Sequence, residues 1–141
     1  MRHWEEVREV LGDEFAVEDK REGRLLLSLG DQTVVVELLT AFGEPWLTAV
    51  AAILPERELD RPRWALQLST SLATGVLSVI EGVLVLRWTS ALRPLTRTAV
   101  DRAVRCIARE ATRIREIEQQ LSRQRRATFS WAELERRLVP G

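Results

Sequence analysis

The sharpest charge pattern in this chain is four arginines, Arg102, Arg105, Arg109 and Arg113, the last three recurring at every fourth position. On a helix they share a stripe nearly opposite the apolar positions. Such a stripe can bind carboxylates or a phosphate backbone. Read as a plain solvated face, it carries like-charge repulsion of roughly a few tenths of a kcal/mol per pair. Residues 1–60 hold 14 acidic against six basic side chains, so acids elsewhere can offset it. Other reactive residue types are scarce. His3 is the sole histidine and sits beside Glu5 and Glu6, where a metal would need several converging ligands. Cys106 is the sole cysteine, next to the apolar Ile107 and without a histidine to activate it, so it reads as a structural thiol. Ser69, Thr70, Ser71 and Thr74 cluster without a partner base. Glycines fall singly at turns, and no phosphate-binding glycine motif occurs. These residues predict a protein that is not an enzyme and holds no cofactor and no metal.

Five tryptophans stand in a chain without tyrosine. Trp64 and Trp88 could meet in one apolar patch, either filling the core or forming a dimer seam, where tryptophan is favoured. Trp46, Trp131 and Leu134, with Arg105 and Arg109, are the candidate partner-binding residues.

The elements that must position these residues follow from hydrophobic spacing. Trp4, Val7 and Leu11 predict a short opening helix ended by Gly12. Strands are expected at Phe15–Val17, Arg24–Leu29, Thr33–Phe42 and Trp46–Leu54, with turns at Glu18–Gly23, Gly30–Gln32 and Gly43–Pro45. Asp60 as N-cap and Pro62 in the first turn open a helix over Arg61–Thr74, with Trp64, Leu68 and Leu72 on one side and Gly75 as its stop. Val76–Ile80 and Val83–Thr89 flank Glu81-Gly82 as a hairpin. After Pro94, a long helix begins near Thr98, which with Asp101 spells a capping box. Its core stripe is Val100, Val104, Ile107, Ala111, Ile114 and Leu121. The polar run Arg123–Arg126 predicts a hinge. Ser130 to Glu133 then spell a second capping box, opening a short amphipathic helix with Trp131, Leu134 and Leu138 on its apolar face. The expected division is residues 1–122 as one α+β domain and 123–141 as hinge and C-terminal helix.

Composition narrows the function classes. The 141 residues are 45% hydrophobic and 30% charged, which fits a folded globular domain. Twenty-one basic side chains balance 21 acidic ones, which argues against a general polyanion binder. The lone cysteine fits a reducing cytosol. The first residues carry no apolar run of a signal peptide, and the longest apolar stretch, Trp46 to Leu54, is far shorter than a membrane span. A cytoplasmic location without membrane insertion is expected.

Three stretches carry a resemblance: G-E-P-W-L-T-A-V-A-A-I-L-P from Gly43, W-A-L-Q-L-S-T-S-L-A-T-G from Trp64, and E-G-V-L-V-L-R-W-T-S-A-L from Glu81. With the closing helix T-A-V-D-R-A-V-R-C-I-A-R-E-A from Thr98, the region Gly43–Leu121 resembles the bacterial YbjN-like family, called sensory transduction regulators. It is similar too to the type III secretion chaperones, which share that fold. The resemblance implies an antiparallel sheet in α-β-β-β-β-α-β-β-α order, here with a short C-terminal helix. It also implies a homodimer formed through the middle helix and adjoining strand, placing Trp64, Leu68, Leu72, Leu86 and Trp88 at the interface. The chain departs from the family in carrying Gln67 and Ser69 where asparagine is common. The implied function is a non-enzymatic, chaperone-like adaptor or escort that holds an unfolded or extended segment of a partner protein. The alternative is a regulator contacting nucleic acid or an acidic partner through the arginine stripe.

Overall fold

The computed structural model describes residues 1–55, 57 and 75–138, with side chains through Gln120 and at Arg123. Helix α1 (Trp4–Glu14) leads into β1 (Ala16–Arg21), β2 (Arg24–Leu29), β3 (Gln32–Ala41) and β4 (Glu44–Pro55). Strands β5 (Val76–Ile80) and β6 (Val83–Ala91) follow, and helix α2 (Arg97–Leu138) closes the chain. The helix expected over Arg61–Thr74, with Trp64, Leu68 and Leu72, lies outside the described residues. The strands form one sheet in the order β1-β2-β3-β4-β6-β5, with every neighbouring pair antiparallel.

Two side-chain rows define the inner face of the sheet. Leu27, Val34, Ala51, Leu86 and Leu77 align across five strands, and Leu25, Val36, Ala49 and Trp88 align beside them. These rows join one buried cluster with Trp4, Val7 and Leu11 of α1 and Val100, Val104, Ile107, Ala111 and Ile114 of α2. The central strand contributes Ala49 and Ala51, and α2 answers with Ala108 and Ala111. Small residues on both surfaces let the helix axis approach the sheet closely, so large side chains can fill the flanks. Two exposed ion pairs tie the helices together: Arg97 to Asp13 at 2.6 Å and Arg105 to Glu14 at 3.3 Å. Acids at the C-terminal end of α1 oppose its dipole, and the arginines of α2 offset that.

Four local expectations are corrected. The run Glu18–Arg21, read as a turn, extends β1, and Val17 alone in that strand is not fully exposed. An edge strand with both faces wet gives no hydrophobic alternation to detect. The long helix is capped by Thr96, whose hydroxyl accepts from the Ala99 N–H at 3.2 Å, rather than by Thr98. Nor does the backbone hinge at Arg123–Arg126, since α2 runs unbroken to Leu138. That segment contains no glycine or proline, and its three arginines and Gln124 favour helix. Helix α2 is 42 residues long.

The β3–β4 turn is Phe42-Gly43, one residue earlier than expected, with Pro45 already paired to Thr40 inside the ladder. Phe42 (φ 53°) and Gly43 (φ 73°) are both left-handed, as a tight two-residue hairpin turn demands. Phenylalanine is strained there, and its side chain is 97% exposed, so no packing compensates. Phe42→Asn is expected to raise stability by about 1 kcal/mol, seen as a higher urea midpoint at unchanged slope. Gly75 (φ 86°) precedes β5 at another left-handed position, and an added Cβ would lie 2.9 Å from the Arg87 carbonyl oxygen. Among the described residues, no helix is long and apolar enough to cross a membrane.

Candidate functional site

The two edges of the sheet differ in chemistry. β1 exposes Glu18, Asp19, Lys20 and Arg21, and charge along an edge disfavours further strand pairing. Arg8 donates to both carboxylate oxygens of Asp19, at 2.8 and 2.5 Å, while Arg21 pairs with Glu37 on β3. The hydrogen bonds from Arg8 hold the Asp19 carboxyl below the usual aspartate range. A depressed carboxyl stabilises the fold above its unfolded value, and that contribution is lost as pH falls through the folded one. Carbon-detected NMR should therefore titrate Asp19 below an unstructured aspartate, and Arg8→Ala should restore the ordinary midpoint.

The opposite edge, β5, reads Val-Leu-Ser-Val-Ile and carries no charge. Val76 is 62% exposed, Val79 48% and Ile80 36%. The sheet face turned away from α1 and α2 is mixed: Arg87 stands between Val50 and Val76, and Arg24, Glu37, Thr48 and Thr89 form a polar row. Leu26, Val35 and Val50, all half-buried, align across three strands. Farther along, Leu39 pairs with Trp46, whose indole N–H donates to the Ala41 carbonyl at 3.1 Å.

On α2 the arginine stripe is partly engaged within the molecule. Arg105 bonds Asp101 at 3.1 Å and Glu14 at 3.3 Å, and its guanidinium lies 4.7 Å from the centre of the Phe15 ring. Its pKa is raised first by the Asp101 hydrogen bond, so its charge is secure. Arg113 pairs with Glu110 at 2.7 Å. Arg102 and Arg109 are exposed and make no ion pair among the described residues. A groove runs between α2 and the β2–β3 turn, lined by Leu29, Gln32 and Ala108 beneath Arg105, Arg109 and Arg113.

Below this groove lies a polar clamp. Gln32 is 3% exposed; its amide donates to the Thr33 and Ala52 carbonyls at 3.0 and 2.9 Å. The Gln32 oxygen accepts from Thr112 at 3.2 Å and from Arg115 at 2.6 Å. Arg115 also donates to the Ile53 and Ala52 carbonyls at 2.6 and 2.8 Å. The β4–β6 register shifts between Ala52 and Leu54. Arg115 thus fastens α2 to a bulge where β4 ends, satisfying carbonyls that the regular ladder leaves over.

The candidate site residues scatter. Leu86 is wholly buried and joins the core cluster that includes α2. Its inward position in the row with Ala51 and Leu27 accounts for this. Trp88 is half-buried and packs against the same core. Trp46 lies on the sheet face turned away from α1 and α2, 41 residues before Arg87 in sequence but on the strand next to it. Arg105 and Arg109 line the α2 groove on the other side of the sheet. Trp131 and Leu134 fall on α2, with side chains outside those described. His3 stands at the start of α1 and is exposed; Cys106 is half-buried. Among the described residues, no group of three or more His, Cys, Asp or Glu side chains converges as a metal site would require. Sequence reading missed the Gln32–Arg115 clamp and the exposure of β5. The uncharged composition of Val76–Ile80 was the available signal for the latter.

No protein-family model matches this chain, and no curated protein matches it. Among solved structures, it is similar to a chain in the structure of the HopA1–SchA chaperone–effector complex. The identity is 14% and the TM-score 0.55, over 72% of this chain and 80% of that one. The likeness shows a shared α+β fold.

Proposed function

We propose that this chain is a non-enzymatic, chaperone-like adaptor that holds an extended segment of a partner polypeptide. The observation that carries the reading is the contrast between the sheet edges: β1 is guarded by charge, whereas β5 is uncharged and exposes Val76, Val79 and Ile80. An uncharged edge strand of this kind, unpaired on its outer side among the described residues, takes up an extended peptide through main-chain hydrogen bonds, with alternate side chains supplying selectivity. The fold shared with a chain of a chaperone–effector complex supports a polypeptide as partner. Both families that the sequence resembles fit this reading, as do a cytoplasmic location and a homodimer formed through residues 61–74.

A photo-crosslinking residue placed at position 79, and separately at position 19, tests it in host cells. Position 79 is expected to capture a polypeptide other than this chain, and position 19 to capture none. Equal capture at both edges, or recovery of a bound small molecule alone, overturns the reading. With the crosslinker kept at position 79, Val76→Lys adds charge to a neighbouring edge position 62% exposed and is expected to abolish capture while leaving the circular dichroism spectrum unchanged.

A further inference from the structure

We infer that the groove between α2 and the β2–β3 turn binds an acidic, extended polypeptide segment whose carboxylates recur at every second residue. The inference rests on the adaptor reading for the polypeptide nature of the partner, and it adds a second contact surface with its own chemistry. Arg105, Arg109 and Arg113 line the groove, against one lining acid, Glu116. The acids that bond Arg105 and Arg113, namely Asp101, Glu14 and Glu110, are not among the lining residues. Exposed pairs of this sort are weak and exchange readily for a better-placed carboxylate. Arg109, at the centre, makes no ion pair among the described residues and is exposed.

The spacing selects the occupant. Arginines four residues apart on a helix rise about 6 Å per step. Side chains on one side of an extended chain recur about every 6.8 Å. A strand laid along α2 with Asp or Glu at alternate positions therefore meets three guanidinium groups nearly in register, each able to grip a carboxylate in two-point fashion. The floor is rigid, because Gln32 is buried and held by Thr112 and Arg115. Leu29 and Ala108 give it apolar surface for the intervening side chains. Glu116 at the far end opposes a continuing phosphate chain but suits a donor on a peptide, so the groove favours polypeptide over nucleic acid.

Fluorescence anisotropy with three labelled probes tests this: a peptide of alternating glutamate and serine, a peptide of the same composition with its glutamates consecutive, and an oligothymidylate. The alternating peptide is expected to bind tightest, with affinity falling as salt rises. Arg109→Gln is expected to weaken it about tenfold, the loss of one charge-assisted contact. Equal binding of the two peptides, tighter binding of the oligonucleotide, or indifference to Arg109→Gln each overturns the inference. The adaptor reading is judged separately. Failure of the peptide with crosslinking intact at position 79 refutes the groove alone, and absence of that crosslink in the protein that carries the crosslinker and no other change refutes the adaptor.

Discussion

Replacing Arg115 with alanine is expected to lower the stability of this protein by about 2–4 kcal/mol, far more than loss of an ordinary surface arginine. The guanidinium donates to the Ile53 and Ala52 carbonyls and to the Gln32 side chain. Removing it takes the side-chain donor from the Ile53 carbonyl and leaves the Ala52 carbonyl and the Gln32 oxygen with one side-chain donor each, the Gln32 amide and Thr112. Arg115→Lys should recover little, because an ammonium cannot span the bulge carbonyls and Gln32 with one planar fork. Urea unfolding of Arg115→Ala, Gln32→Ala and the double variant checks the account. The double variant should cost clearly less than the two single losses combined, since both residues serve one network. Strict additivity would mean that the two act independently and that the clamp is not a unit.

The second large effect concerns Leu86. It is fully buried, in a row with Ala51 and Leu27 under α2. Leu86→Ala is expected to cost about 2–5 kcal/mol through lost transfer energy and the cavity left behind. The alanines facing it cannot swell to fill the space. The sign of the accompanying size measurement separates core from interface. A variant that is less stable but elutes at the size of the unsubstituted protein confirms a core role. One that keeps its stability and changes its oligomeric state would return Leu86 to an interface.

What could be read from the sequence was whatever repeats along one element. The stripe Val100, Val104, Ile107, Ala111 and Ile114 was legible because a helix half-buried on a sheet must alternate at 3.6 residues, and all five are buried. The Glu81-Gly82 turn was legible because both residues sit in left-handed backbone, with glycine in the second place. The charged stretch Glu18–Arg21 was misread because an exposed edge strand carries no burial pattern. The hinge at Arg123–Arg126 was misread because polarity alone was weighed, and helix propensity there is high. The clamp could not be read at all: Arg115 reaches residues 62, 63 and 83 positions away, and no local spacing encodes such contacts. The arginine stripe was visible as a pattern. Its offsetting acids were foreseen as a total, but the pairing of Arg105 with Glu14 depends on how α1 packs against α2.

The central claim is that the β5 edge takes up an extended partner segment. Hydrogen exchange measured by mass spectrometry, on the protein alone and with the polypeptide captured at position 79, tests it most directly. The account predicts slower exchange across Val76–Ile80 on binding, with Ala16–Arg21 unchanged. Unaltered exchange in β5 while a bound polypeptide protects another part of the sheet would contradict it.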